Sequence, residues 1–140
     1  MDKLFSITYK YRWFGPCEYG NGMKEETTIA CDGSITAKRW DNNGTTDKWR
    51  IVERASGTAS PEKVECLYKK LNELIHNRKC VEEIIDDTER ILIIEEPGLK
   101  LEVDANLTDG KNYCSQFIEK FLEEIQLNWK HVNHRTGFRI

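Results

Sequence analysis

The sequence predicts an α+β fold: an antiparallel sheet of about six strands, in the order ββββ-α-ββ-α, with two amphipathic helices packed on one face. Three observations predict it. Several segments alternate apolar and polar residues with period two. Two later segments carry apolar stripes at i, i+3, i+4 and i+7 spacing. Turn signals such as Asp32-Gly33 and Pro97-Gly98 separate the strand segments.

The first strand is the clearest. Phe5, Ile7, Tyr9, Tyr11 and Trp13 fall on one face and Ser6, Thr8, Lys10 and Arg12 on the other, so one face enters a core and the other meets water. Gly15-Pro16 ends this strand, and turn formers continue to Gly22. Glu25 to Cys31 reads as the second strand and Ser34 to Trp40 as its return. Asp32-Gly33 is expected at the centre of a tight turn whose two central residues both take positive φ. Asp41-Asn42-Asn43-Gly44 opens another turn. Trp49, Ile51 and Glu53 then alternate with Arg50, Val52 and Arg54 in a fourth strand.

Ser60-Pro61 is a helix start, with Ser60 as N-cap, Pro61 at the first helical position and Glu62 in the first turn, where a negative charge suits the helix dipole. Val64, Leu67, Tyr68, Leu71, Leu74 and Ile75 form one stripe, and the helix is expected to end near Asn77. Glu89 to Glu96 and Leu99 to Asp104 flank Pro97-Gly98 as a hairpin. Ile91 to Ile94 is apolar on both faces and reads as a strand covered on each side. Cys114, Phe117, Ile118, Phe121, Leu122 and Ile125 predict a last helix over residues 111–129. Residues 1–129 therefore read as one domain. Residues 130–140 are basic and aperiodic, and read as a C-terminal tail.

At 140 residues, 39% hydrophobic and 10% aromatic, the chain has enough apolar surface to offset chain entropy without a metal or disulfide. Its longest aliphatic run, Ile91 to Ile94, is far short of the roughly 20 residues of a membrane span. No secretion signal is legible at the start, so the five cysteines (Cys17, Cys31, Cys66, Cys80 and Cys114) read as reduced thiols in a cytoplasm. The net charge of −3 is uneven. Residues 61–110 carry 7 basic and 13 acidic side chains, against 9 and 8 in residues 1–60 and 5 and 3 in residues 111–140. An acidic chain is a poor general nucleic-acid binder, because phosphate contacts need a basic surface.

Candidate catalytic and cofactor patterns are each incomplete. The loop from Gly15 to Gly22 has Asn21 and Gly22 where a phosphate loop needs Lys and Ser or Thr, and a strand rather than a helix follows it. Cys17 within it lacks a base placed by any motif. His131 with His134, and His76 with Cys80, are pairs without the other ligands zinc requires. Neighbouring acids such as Glu82-Glu83 point apart on a strand and do not share a proton. Asp41-Asn42-Asn43-Gly44 lacks the Glu that closes a calcium loop. Tyr9, Tyr11 and Trp13 beside Lys10 and Arg12 resemble a base-stacking sheet, but aromatics and cations fall on opposite faces.

Two features point to binding. Trp40 and Trp49 sit near one hairpin end, where aromatic residues anchor protein partners. Glu82, Glu83, Asp86, Asp87, Glu95 and Glu96 form an acidic run suited to steering a basic partner. The element order also resembles many small bacterial domains and, in layout alone, the emfourin-type peptidase inhibitors; no residue role carries over. The expectation is a cytoplasmic protein-binding module acting as an inhibitor or immunity-type antagonist of a basic protein partner. It has no cofactor or metal and binds neither nucleic acid nor membrane. One alternative is a small enzyme or small-ligand binder working near Cys17 and Tyr19. The other is a self-associating domain forming a homodimer.

Overall fold

The computed structural model describes residues 4–13, 23–41, 49–77, 80–81, 88–108 and 110–132. Seven strands form one antiparallel sheet. In chain order they are β1 (Ser6–Trp13), β2 (Met23–Ala30), β3 (Ser34–Asp41), β4 (Arg50–Thr58), β6 (Thr88–Glu96), β7 (Leu99–Asp104) and β9 (Lys130–His131). Across the sheet the order is β7-β6-β1-β2-β3-β4-β9. Two short strands, β5 (Cys80–Val81) and β8 (Leu107–Thr108), make a separate pair. The α+β class stands, with one strand more in the main sheet than expected.

Helices α1 (Pro61–His76) and α2 (Cys114–Glu123) both pack on the face that carries Phe5, Ile7, Tyr9, Ile29, Ile35, Leu92 and Ile94. All six stripe residues of α1 are buried. Each removes apolar area from water, a gain of about 1.5–3 kcal/mol per large aliphatic side chain. Phe5 stacks on Tyr68 with ring centroids 4.0 Å apart. The helix starts where its cap was legible: the Ser60 hydroxyl accepts from the Lys63 N–H at 3.2 Å. Ser60→Ala is expected to cost about 1 kcal/mol, read as a lower urea midpoint with unchanged slope. Ile91 to Ile94 is expected to be covered on each side, but the structure covers one face with helices, while the other face has no helix or strand on it among the described residues. Leu92 and Ile94 lie in the core, and Ile93 on the other face is only 4% exposed, between Thr8 and Glu102 in register.

Three further details differ from the sequence reading. The turn bond of the first hairpin runs from the Gly33 N–H to the Ala30 carbonyl at 2.9 Å, so Cys31 and Asp32 are its centre and Gly33 follows it with φ +98°. This is the three-residue loop in which a glycine bulge closes the turn. Helix α2 is ten residues rather than the nineteen expected from 111 to 129. Its start is fixed by the Gln116 side chain, which accepts from the Tyr113 N–H at 2.8 Å. After Glu124 the chain extends instead of coiling, and the Asn128 N–H bonds the Ser56 carbonyl at 2.9 Å. Leu127 fits against Gly57, where a Cβ would stand 2.9 Å from its Cδ2. The chain beyond 129 is not free at its start: Lys130 and His131 pair with Arg54 and Glu53 as the edge strand β9. Residues 133–140 lie outside the described residues.

Candidate functional site

The sheet has a second face, and among the described residues no helix or strand packs on it. Register determines what it presents, because residues paired across strands share a face. One row crosses the sheet as Lys130, Arg54, Lys38, Glu26, Lys10, Ile91 and Asp104. The row on one side of it is Trp40, Lys24, Arg12 and Glu89. On its other side lie Ser56, Thr36, Thr28, Thr8, Ile93 and Glu102. Beyond that come Thr58 with Ser34, and Ser6 with Glu95 and Lys100.

Charge is therefore sorted by strand. Over β1–β4 and β9 the face carries Lys10, Arg12, Lys24, Lys38, Arg54 and Lys130 against Glu26 alone. Over β6 and β7 it carries Glu89, Glu95, Glu102 and Asp104 against Lys100 alone. Lys10–Glu26 and Arg12–Glu89 form ion pairs here, both at 3.8 Å, and the second bridges the two halves. Lys38, Arg54 and Lys130 have no ion pair among the described residues.

Trp40 and Trp49 are brought together at the basic end. The Lys24 ammonium lies 4.5 Å from the Trp49 ring centroid and 5.4 Å from that of Trp40, and so links the two rings. Burial pushes the Lys24 pKa below its ordinary value, and the neighbouring Arg12 and Lys10 charges push it the same way against Glu26. Its positive charge is thus held in an already positive region. A shallow hollow of about 280 Å³ lies beside it, with Arg12, Lys10, Trp40 and Glu89 among its walls.

The helix-side face contrasts with this. The row Arg90, Tyr11, Glu25, Arg39, Glu53 and His131 crosses the sheet there, and α2 reaches its Arg90 end. Its charges alternate and neutralise one another. Arg39 donates to Glu25 at 2.8 Å and also to Glu53, and its guanidinium stacks on Trp129 at 4.0 Å. Burial opposes the Arg39 charge, but the two carboxylates outweigh it and leave its pKa raised. Tyr9 donates to Glu119 at 2.5 Å, and Glu119 also pairs with Arg90 at 3.6 Å. Burial, reinforced by Glu119, raises the Tyr9 pKa well above the ordinary phenol range, so this hydroxyl stays a donor. A hollow of about 480 Å³ opens here between Tyr9, Tyr11, Glu25 and Glu123. Glu25 and Glu119 in its wall already have internal partners, which marks the row as a structural network.

The acidic residues expected to act together do not form one patch among those described. Glu95 is exposed on the open face, while Glu96, on the other face, accepts a hydrogen bond from Tyr68. Glu95 lies six residues along β6 from the Trp40 row, roughly 20 Å at strand spacing. Glu82, Glu83, Asp86 and Asp87 lie outside the described residues, as do Cys17, Tyr19, His134 and the turn at 42–44. The described residues contain no group of three or more His, Cys, Asp or Glu arranged to hold a metal. No described helix is long and apolar enough to cross a membrane. The residues that sequence reading missed are Lys24, Lys38, Arg54, Lys130, Glu102 and Asp104. Their signal was present as alternation within each strand, but their assembly depends on register. Compared with known proteins, the chain matches no family model and no curated sequence.

Proposed function

We propose that the protein is a protein-binding module that docks through the open face of its sheet. The acidic β6–β7 half would meet a basic surface, as the acidic run in the sequence suggests. The basic half, anchored by Trp40 and Trp49, would meet an acidic one. The observation that carries this reading is the sorting of charge into two halves on the one sheet face that no helix covers. Antagonism of a partner by occupying its surface is the role this arrangement serves best. A protein is favoured over nucleic acid because the acidic half and the net charge of −3 repel a phosphate backbone.

The test is tryptophan emission during titration with polyglutamate, polylysine and a single-stranded oligodeoxynucleotide. Polyglutamate is expected to shift the emission in a salt-sensitive way, and Lys24→Glu or Lys38→Glu to weaken it by about 10-fold. Polylysine should shift the emission less than polyglutamate, since Glu89 is the one carboxylate of the acidic half that shares the hollow with Trp40. Equal or tighter binding of the oligonucleotide would replace the protein partner with nucleic acid. No response to either polyanion would remove the docking role of the basic half.

A further inference from the structure

We infer that the cleft between α1 and α2 is a binding site for a small amphipathic anion, a hydrocarbon tail of about eight carbons that ends in one carboxylate. The two helices lie on the other side of the sheet from its open face, so this site does not depend on the docking role of that face. The cleft has a volume of about 330 Å³, within the usual range of ligand pockets, roughly 300–1,000 Å³. Each helix lines it with residues at i, i+3, i+4 and i+7, one continuous face of two turns. On α1 that face runs from Lys63 to Lys70, and on α2 from Phe117 to Glu124.

Three features define the ligand. The floor is apolar: Phe117 and Phe121 are half-buried at the rim of the core, beside buried Leu67. A hydrocarbon laid on their open ring surface removes both from water, which favours binding. The rim is cationic. Lys63, Lys70 and Lys120 stand there against Glu124 alone among the described walls, and none of the three forms an ion pair with a described residue. The cleft is therefore positive in a chain whose net charge is −3. The Lys70 ammonium lies 5.8 Å from the Phe117 ring centroid, so a carboxylate drawn to Lys70 lays its tail along the rings. The cleft is also short. Two helical turns span about 10 Å, the length of an extended chain of about eight carbons at ordinary bond lengths. A partner helix of ordinary length, about three turns, would overhang it, which favours a small ligand over a peptide.

The test is the rate at which iodoacetamide alkylates Cys66, read on its own peptide by mass spectrometry, with sodium octanoate present below its micelle-forming concentration. Cys66 is an exposed free thiol in the cleft wall, so a ligand seated there shields it. Octanoate is expected to slow the alkylation at least about 3-fold at saturation, because a seated ligand is mostly enclosed. Acetate and octyltrimethylammonium at the same concentration should leave the rate unchanged. Lys70→Glu with Lys120→Glu, both at exposed positions, should weaken octanoate at least about 10-fold and admit octyltrimethylammonium in its place. An unchanged circular dichroism spectrum confirms the fold of that variant. Three results overturn the inference: no protection by octanoate, equal protection by acetate (charge alone), or equal protection of the wild type by octyltrimethylammonium (apolar contact alone). Anionic phospholipid vesicles that shield Cys66 where free octanoate does not would replace the small ligand with a membrane surface.

Discussion

Gly33→Ala is expected to lower stability by about 3–5 kcal/mol, a large part of what a domain of this size possesses. Gly33 has φ +98°, where an L side chain costs roughly 1–2 kcal/mol. The larger share comes from contact. A Cβ at this position would stand 2.1 Å from the Ala59 carbonyl oxygen, a backbone atom that cannot swing aside. The Ala59 N–H donates to the Gly33 carbonyl at 2.9 Å, so moving one segment breaks the bond that ties the first hairpin to the entry of α1. Gly98→Ala separates the two contributions, because Gly98 has φ +76° but nothing within 4 Å of its would-be Cβ. It should cost about 1 kcal/mol. Urea unfolding of both variants decides it: equal losses would show that the Ala59 contact contributes nothing.

The second large effect is expected from Ile118→Ala, about 3 kcal/mol. Ile118 is fully buried, and α2, at ten residues, is too short to persist without packing. Removing that side chain should loosen α2 as a unit. Amides from 114 to 124 would then exchange faster than those of α1, a pattern hydrogen exchange resolves residue by residue. Phe117→Ala, at a half-buried position of the same helix, should cost less. A uniform rise in exchange across both helices would mean that they open together and that α2 has no separate stability.

What was legible in the sequence was what each segment carries within itself. In α1 the cap, the proline and the six-residue stripe are local, and all of them hold in the structure. The stripe of α2 was equally regular, yet only Cys114 and Ile118 of its expected members are buried. Phe117, Phe121, Leu122 and Ile125 pack at the rim of the core. Periodicity shows which side of a helix is apolar, but not where the sheet beneath it stops. Strand β9 was invisible because two residues have no period, and its pairing is made with β4, far away in sequence. The open face was illegible for the same reason. Lys10 and Arg12 were seen as the polar side of one strand and Trp40 as a hairpin end, and only register sets Lys24 between Arg12 and Trp40.

The place of β1 in the sheet has a consequence for how the chain is made. It lies between β2, which follows within a few residues, and β6, whose pairing with it joins Ser6 to Glu95. On a ribosome adding about 5–20 residues per second, β1 waits roughly five to fifteen seconds for that neighbour. During this interval the β1–β4 meander exposes Ile7, Tyr9, Ile29 and Ile35, and its β1 edge offers a row of unpaired backbone groups. The growing chain is then most open to wrong pairing with another nascent copy, and slower translation upstream of β6 would lengthen the period of risk. Aggregation during synthesis should therefore respond to codon speed between residues 59 and 88 more than to changes after residue 104.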